Sequence, residues 1–185
     1  MGESTPHASI SETYPKDFIE TTFLGEYKNI IYTHKYHHIG FALVCIGIEF
    51  LGKCLDAKEQ DWQKRGLSAA HFKDAIEQTM PKYKACSTLL YEQLRSGFAH
   101  GLLPGPKVGL THRDESVKYG TAHLFERRGT VTVVIESLYD DFEAACRGVL
   151  QRQFPQNDKM SNPLLAIPSD SVAVGELLNA RATPY

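Results

Sequence analysis

Ile39-Gly40-Phe41-Ala42-Leu43-Val44-Cys45-Ile46-Gly47-Ile48 is the longest apolar run in the chain, and how it is read decides the fold. It is about half as long as the roughly 20 residues a bilayer span needs. The spacing of Ile39, Leu43, Ile46 and Phe50 predicts a helix over 33–55. Its other faces are apolar too, as expected of a central, buried member of a helical bundle rather than a membrane span. Gly40 and Gly47 stand one heptad apart on it. Each costs about 1 kcal/mol of helix propensity relative to alanine, which signals close approach by another helix.

Outward from this rod, Phe18, Phe23, Leu24 and Tyr27 mark a first helix over 16–28, while residues 1–13 are small and polar and read as a flexible lead. The charged stretch 56–66 reads as a connection with Trp62 as its packing anchor, and Ser68 is placed to cap a third helix ending near 79. Pro81 disfavours helical geometry at Met80 and opens a fourth helix. On that helix Tyr83, Cys86, Leu90, Leu94 and Gly97 form the core stripe, with Arg95 on a second face. Leu103-Pro104-Gly105-Pro106 ends it.

A strand-like segment over 107–111 follows. The runs 122–125 and 130–135, joined by Arg127-Arg128-Gly129, read as a hairpin. Ser137 with Asp140 makes a capping-box pattern for a last helix striped by Leu138, Phe142, Ala145 and Val149. Residues 155–185 read as an extended tail with a short helix over 172–180, leaving one domain over 14–154.

With 185 residues and 42% hydrophobic content, the chain has enough apolar material for one cored domain. Its 20 Lys and Arg against 22 Asp and Glu create no global positive field, so any anion site must be local. Cys45, Cys54, Cys86 and Cys146 form no CxxC pair, which argues against structural zinc and a disulfide framework. The first residues show no basic region followed by an apolar core, and Pro6 stands where the myristoylation pattern wants Ser or Thr. The expectation is a cytoplasmic protein with reduced thiols and no membrane association.

Leu94-Arg95-Ser96-Gly97-Phe98-Ala99-His100-Gly101 carries the chemistry. An arginine always carries charge and grips phosphate through parallel N–H bonds, and a histidine near neutral pH gives or takes a proton. Five residues of ideal helix rotate by about 140°, so Arg95 and His100 share a site only if the helix end bends or a second chain closes a cleft. Gly97, Gly101 and Pro104 make a loosened last turn the expected route.

Arg-x-x-x-x-His at the end of a helix, with a glycine following at once, resembles the HEPN superfamily of small helical domains. The resemblance implies a mainly α fold: an up-and-down bundle of four to five helices, here with a small β-hairpin inserted before the last long helix. It further implies a metal-independent endoribonuclease in which the RNA 2′-hydroxyl attacks the adjacent phosphate. Arg95 and His100 are then catalytic, and Ser96 orients a phosphate or the imidazole. The implied partners are an RNA substrate, a second copy in a homodimer, and an antitoxin or regulatory protein in a defence or toxin–antitoxin setting. No cofactor or metal is implied. One family variant carries a tyrosine two residues past the histidine, where this chain has Leu102. The alternative is a non-catalytic HEPN-like module that binds nucleotide, RNA or a partner protein.

Other residues carry weaker signals. Arg95 also fits a helix-surface pair with Glu92 or a stem packed on Tyr91, and His100 fits a cap for the last carbonyls. His34, His37 and His38 include an i,i+4 pair, but no carboxylate or cysteine completes a metal set, and solvated histidines near a helix start are the commoner case. Glu49 reads either as an acid facing Arg95 or as an exposed or otherwise paired glutamate. His112, Arg113, Lys118, Arg127 and Arg128 gather around the hairpin, either to track a phosphate backbone or as solvated gatekeepers.

Overall fold

The computed structural model describes residues 14–56 and 65–152. The lead over 1–13, Trp62 and the short helix over 172–180 lie outside these described residues. The fold is mainly α, with a small three-stranded sheet inserted before the last long helix.

The first rod is longer than its sequence pattern suggests. Helix α1 (Tyr14–Phe18) continues in wider turns through Ile19–Glu26 and Asn29–Thr33. It ends where Lys35 takes a left-handed conformation (φ 53°) and the Tyr36 N–H reaches the Ile30 carbonyl at 3.0 Å. This left-handed cap moves the start of the next helix, α2 (His37–Leu55), four residues past the expected 33. His34 therefore belongs to the turn, not to α2.

Helix α2 is the centre of the bundle, but the face it buries is not the expected one. Phe41, Val44, Cys45, Ile48 and Leu51 are buried, whereas Ile39 and Ile46 are each 55% exposed. A helix apolar on all sides gives no phase from its large residues. Its small ones do: a Cβ at Gly40 would stand 2.7 Å from Ile31, and one at Gly47 would stand 2.4 Å from Phe142. Gly52 is tighter still, since a Cβ there would lie 1.8 Å from the His71 carbonyl oxygen. By length and composition alone α2 could cross a membrane, yet more than half of it is buried within the protein.

Chain direction alternates around α2. The first rod is antiparallel to it, with Ile31 against Gly40 and Phe18 against Phe50. Helix α3 (Ser68–Thr79) crosses it at Gly52. The motif rod starts with tight turns over Pro81–Cys86, continues as α4 (Ser87–Leu90) and a wider turn over Tyr91–Arg95, and closes as α5 (Ser96–Gly101). It runs antiparallel to α2, with Arg95 beside Glu49 and Phe98 beside His38. Phe98, rather than Gly97, completes its buried stripe. Gly97 instead admits the returning backbone, because a Cβ there would stand 2.5 Å from the Leu103 oxygen. The Gly105 N–H closes this return on the Gln93 carbonyl at 2.6 Å.

The expected hairpin forms from β2 (Phe125–Arg127) and β3 (Thr130–Val134), turning at Arg128 (φ 53°) and Gly129 (φ 78°). Strand β1 (Val108–Thr111) joins it in parallel, with Val108 level with Val131. A parallel partner needs a crossover, supplied in part by the unanticipated helix α6 (Arg113–Lys118). Helix α7 (Ile135–Leu150) leaves β3 directly and buries Leu138, Phe142, Ala145 and Val149 as expected. The expected capping box does not form: Ser137 lies inside the first turn, and Asp140 accepts from Tyr32 and Arg113.

Candidate functional site

Arg95 is held by α2. Its Nη2 lies 2.5 Å from Glu49 Oε2, and its guanidinium sits over the Tyr91 ring at 6.0 Å. The partner is thus the buried Glu49 rather than the helix neighbour Glu92, as a reading of Glu49 as an acid facing Arg95 requires. Ser68 Oγ donates to the same Glu49 oxygen at 2.7 Å, and Lys53 Nζ lies 3.4 Å from the other. Ser68 was expected to cap α3, but that helix starts without a side-chain cap and the hydroxyl serves the carboxylate instead. Burial pushes the Glu49 carboxyl up, but the Ser68 hydroxyl, Arg95 and Lys53 outweigh it and hold the group below its ordinary range. Arg95 Nε is buried without a hydrogen-bond partner among the described residues.

His100 lives in different surroundings. It is exposed in the last turn of α5 and makes no hydrogen bond or ion pair among the described residues. Capping falls to His38, whose Nε2 donates to the Leu102 carbonyl at 2.6 Å. The loosened turn expected between Arg95 and His100 is absent: the widened turn ends at Arg95, and Ser96–Gly101 is regular α-helix. One chain therefore holds the two side chains on different sides of the helix. Ser96 is half-buried between them and has no hydrogen-bond partner among the described residues.

The three histidines near the start of α2 separate. His34 stacks on Tyr36, His38 caps α5, and His37 packs 4.6 Å from the His112 ring with Glu136 3.9 Å away. Among the described residues no group of three or more His, Cys, Asp or Glu is arranged to hold a metal ion. The basic cluster disperses as well. Arg113 pairs with Asp140 at 3.1 Å, His112 faces Glu115 at 3.6 Å, and Lys118 lies over Tyr119. Arg127 and Arg128 remain exposed at the hairpin turn.

A second polar network had no sequence signal, because its members come from four separate segments. The Val134 N–H donates to His123 Nδ1 at 3.0 Å, so the ring proton sits on Nε2 and is donated to the Tyr83 oxygen at 2.7 Å. The Tyr83 hydroxyl donates in turn to Asp141 at 2.5 Å, and Lys82 closes on the same carboxylate. Burial pushes His123 down to about 4, against the pull of Asp141, so the ring is neutral at ordinary pH.

Among the described residues, then, the motif helix carries a charged cluster around Arg95 and an exposed His100 that does not join it. No protein-family model, curated protein or solved structure matches the chain.

Proposed function

We propose that the protein is a metal-independent endoribonuclease of HEPN type that works as a cytoplasmic homodimer. The observation that carries this reading is Arg95 anchored on a buried carboxylate, with an exposed histidine one turn further along the same helix. Because Ser96–Gly101 is unbent helix, the reading requires Arg95 of one chain to meet His100 of the other across a two-fold axis. His100 then takes the proton from the RNA 2′-hydroxyl or gives one to the departing 5′-oxygen. Arg95 neutralises charge building on the phosphate oxygens, an interaction worth roughly 3 kcal/mol when preorganised. Ser96 orients the phosphate. The products are a 2′,3′-cyclic phosphate and a 5′-hydroxyl, and the reaction draws on no cofactor or metal. A defence or toxin–antitoxin setting, with an antitoxin or regulatory partner, follows from the resemblance.

A second reading has its own support. Arg95 is already engaged by Glu49 and stands apart from His100, as in a non-catalytic module that binds nucleotide, RNA or a partner protein. Mixed RNA incubated in EDTA separates the two. The ribonuclease reading expects wild type to cleave and folded Arg95→Ala and His100→Ala variants not to. RNA left intact by wild type, with both variants losing fold or assembly, supports the binding module.

A further inference from the structure

We infer that Glu49, with Ser68 behind it, is a positioning residue that fixes the Arg95 guanidinium for the phosphate; this rests on the ribonuclease reading. Glu49 is a carboxylate in an otherwise apolar stretch of α2, with only 7% of the residue exposed. Burying an ion pair adds little stability over a well-packed apolar pair, so stability alone gives no reason for the charge. Its surroundings give one. Ser68 forgoes its place as a helix cap to donate to Glu49, and Tyr91 lies under the arginine. An arginine tied at Nη2 has lost most of its rotamer freedom before RNA arrives, which removes an ordering cost from the reacting complex.

Arg95 also keeps donors for an anion, because it meets Glu49 through Nη2 and a guanidinium carries five N–H donors. Glu49 therefore aims Arg95 without using up its donors. This predicts a separation of effects that a scaffold role would not produce: removing the Glu49 charge leaves RNA attraction intact or stronger, while the chemical step slows.

Glu49→Gln keeps the side-chain shape and an acceptor oxygen but removes the charge. The expected result is a kcat at least about tenfold lower. RNA affinity, measured in a His100→Ala background that does not cleave, stays equal or tightens. Glu49→Asp restores part of the rate, and Ser68→Ala, which leaves the ion pair in place, lowers kcat by a smaller factor. An unchanged kcat in Glu49→Gln, or a kcat that falls only together with RNA affinity, overturns the positioning role while the ribonuclease reading stands. A wild-type protein inert toward RNA in EDTA overturns the ribonuclease reading and this inference with it.

Discussion

Among the described residues, the polar network around Glu49 and the one around Tyr83 both reach into the core, and they are built on opposite plans. The Tyr83 network is closed: a backbone N–H, a neutral histidine, a phenol and a carboxylate hand hydrogen bonds along a chain in which each has a partner. The Glu49 network is open. Two cations and a serine converge on one carboxylate, Arg95 Nε is left unmet among the described residues, and the next helical turn carries an exposed histidine. A closed network suits holding β3 and α7 to the motif rod. An open one, with an arginine nitrogen unmet among the described residues, is where the proposed ligand site lies.

The contrast can be broken by substitution. Glu49→Ala should have the largest effect, destabilising the fold by about 3 kcal/mol because Arg95 is left largely buried without its counter-ion. Denaturant unfolding reads this, and a loss below about 1 kcal/mol would show that the cluster is not a unit. Tyr83→Phe should cost roughly 2 kcal/mol by leaving His123 Nε2 unmet and Asp141 with Lys82 alone. It should leave RNA cleavage at the wild-type rate, and a matching loss of cleavage would erase the distinction between the networks.

Acid sharpens the comparison. An unfolded histidine takes its proton near pH 6.5, whereas folded His123 resists until about 4. Stability is therefore complete above about pH 6.5 and falls as pH drops toward 4, and His123→Gln should flatten that decline. Glu49 acts in a lower window. Its folded pKa lies below the ordinary 4.5, so its contribution is present above that value and is lost only as pH falls through the depressed one. The smallest effect on stability belongs to His100→Ala. It should shift unfolding by no more than about 0.5 kcal/mol, since the side chain is exposed and unpartnered among the described residues, yet lower cleavage by about a hundredfold or more.

Much of the bundle is legible in the sequence because its signals are local. The α7 stripe, the hairpin around Arg128-Gly129 and the close approaches at Gly40 and Gly47 each follow from a few neighbouring residues. The face of α2 is not legible from its large side chains, since Ile39 and Ile46 are as apolar as Val44 and Ile48. Glycines and the single acid mark the buried side, and their meaning depends on Phe142, His71 and Arg95 arriving from distant segments. Ser68 departs from its expected role for a related reason: a serine at a helix start offers the same hydroxyl to a cap or to a carboxylate, and only the crossing of α3 over α2 decides between them. The motif itself is visible, but the route to a working site is not. Gly97 was expected to bend the helix, and it instead accommodates the returning Leu103–Gly105 backbone.

With the helix unbent, the account depends on two chains sharing a site, and complementation tests this directly. Arg95→Ala and His100→Ala proteins, each inactive alone, are unfolded and refolded together, and cleavage of RNA is measured in EDTA. If Arg95 of one chain works with His100 of the other, half of the dimers are mixed and each regains one of two sites, so about a quarter of wild-type activity returns. Mixed dimers that form and remain inactive, beside an active wild type, would contradict a site shared between chains.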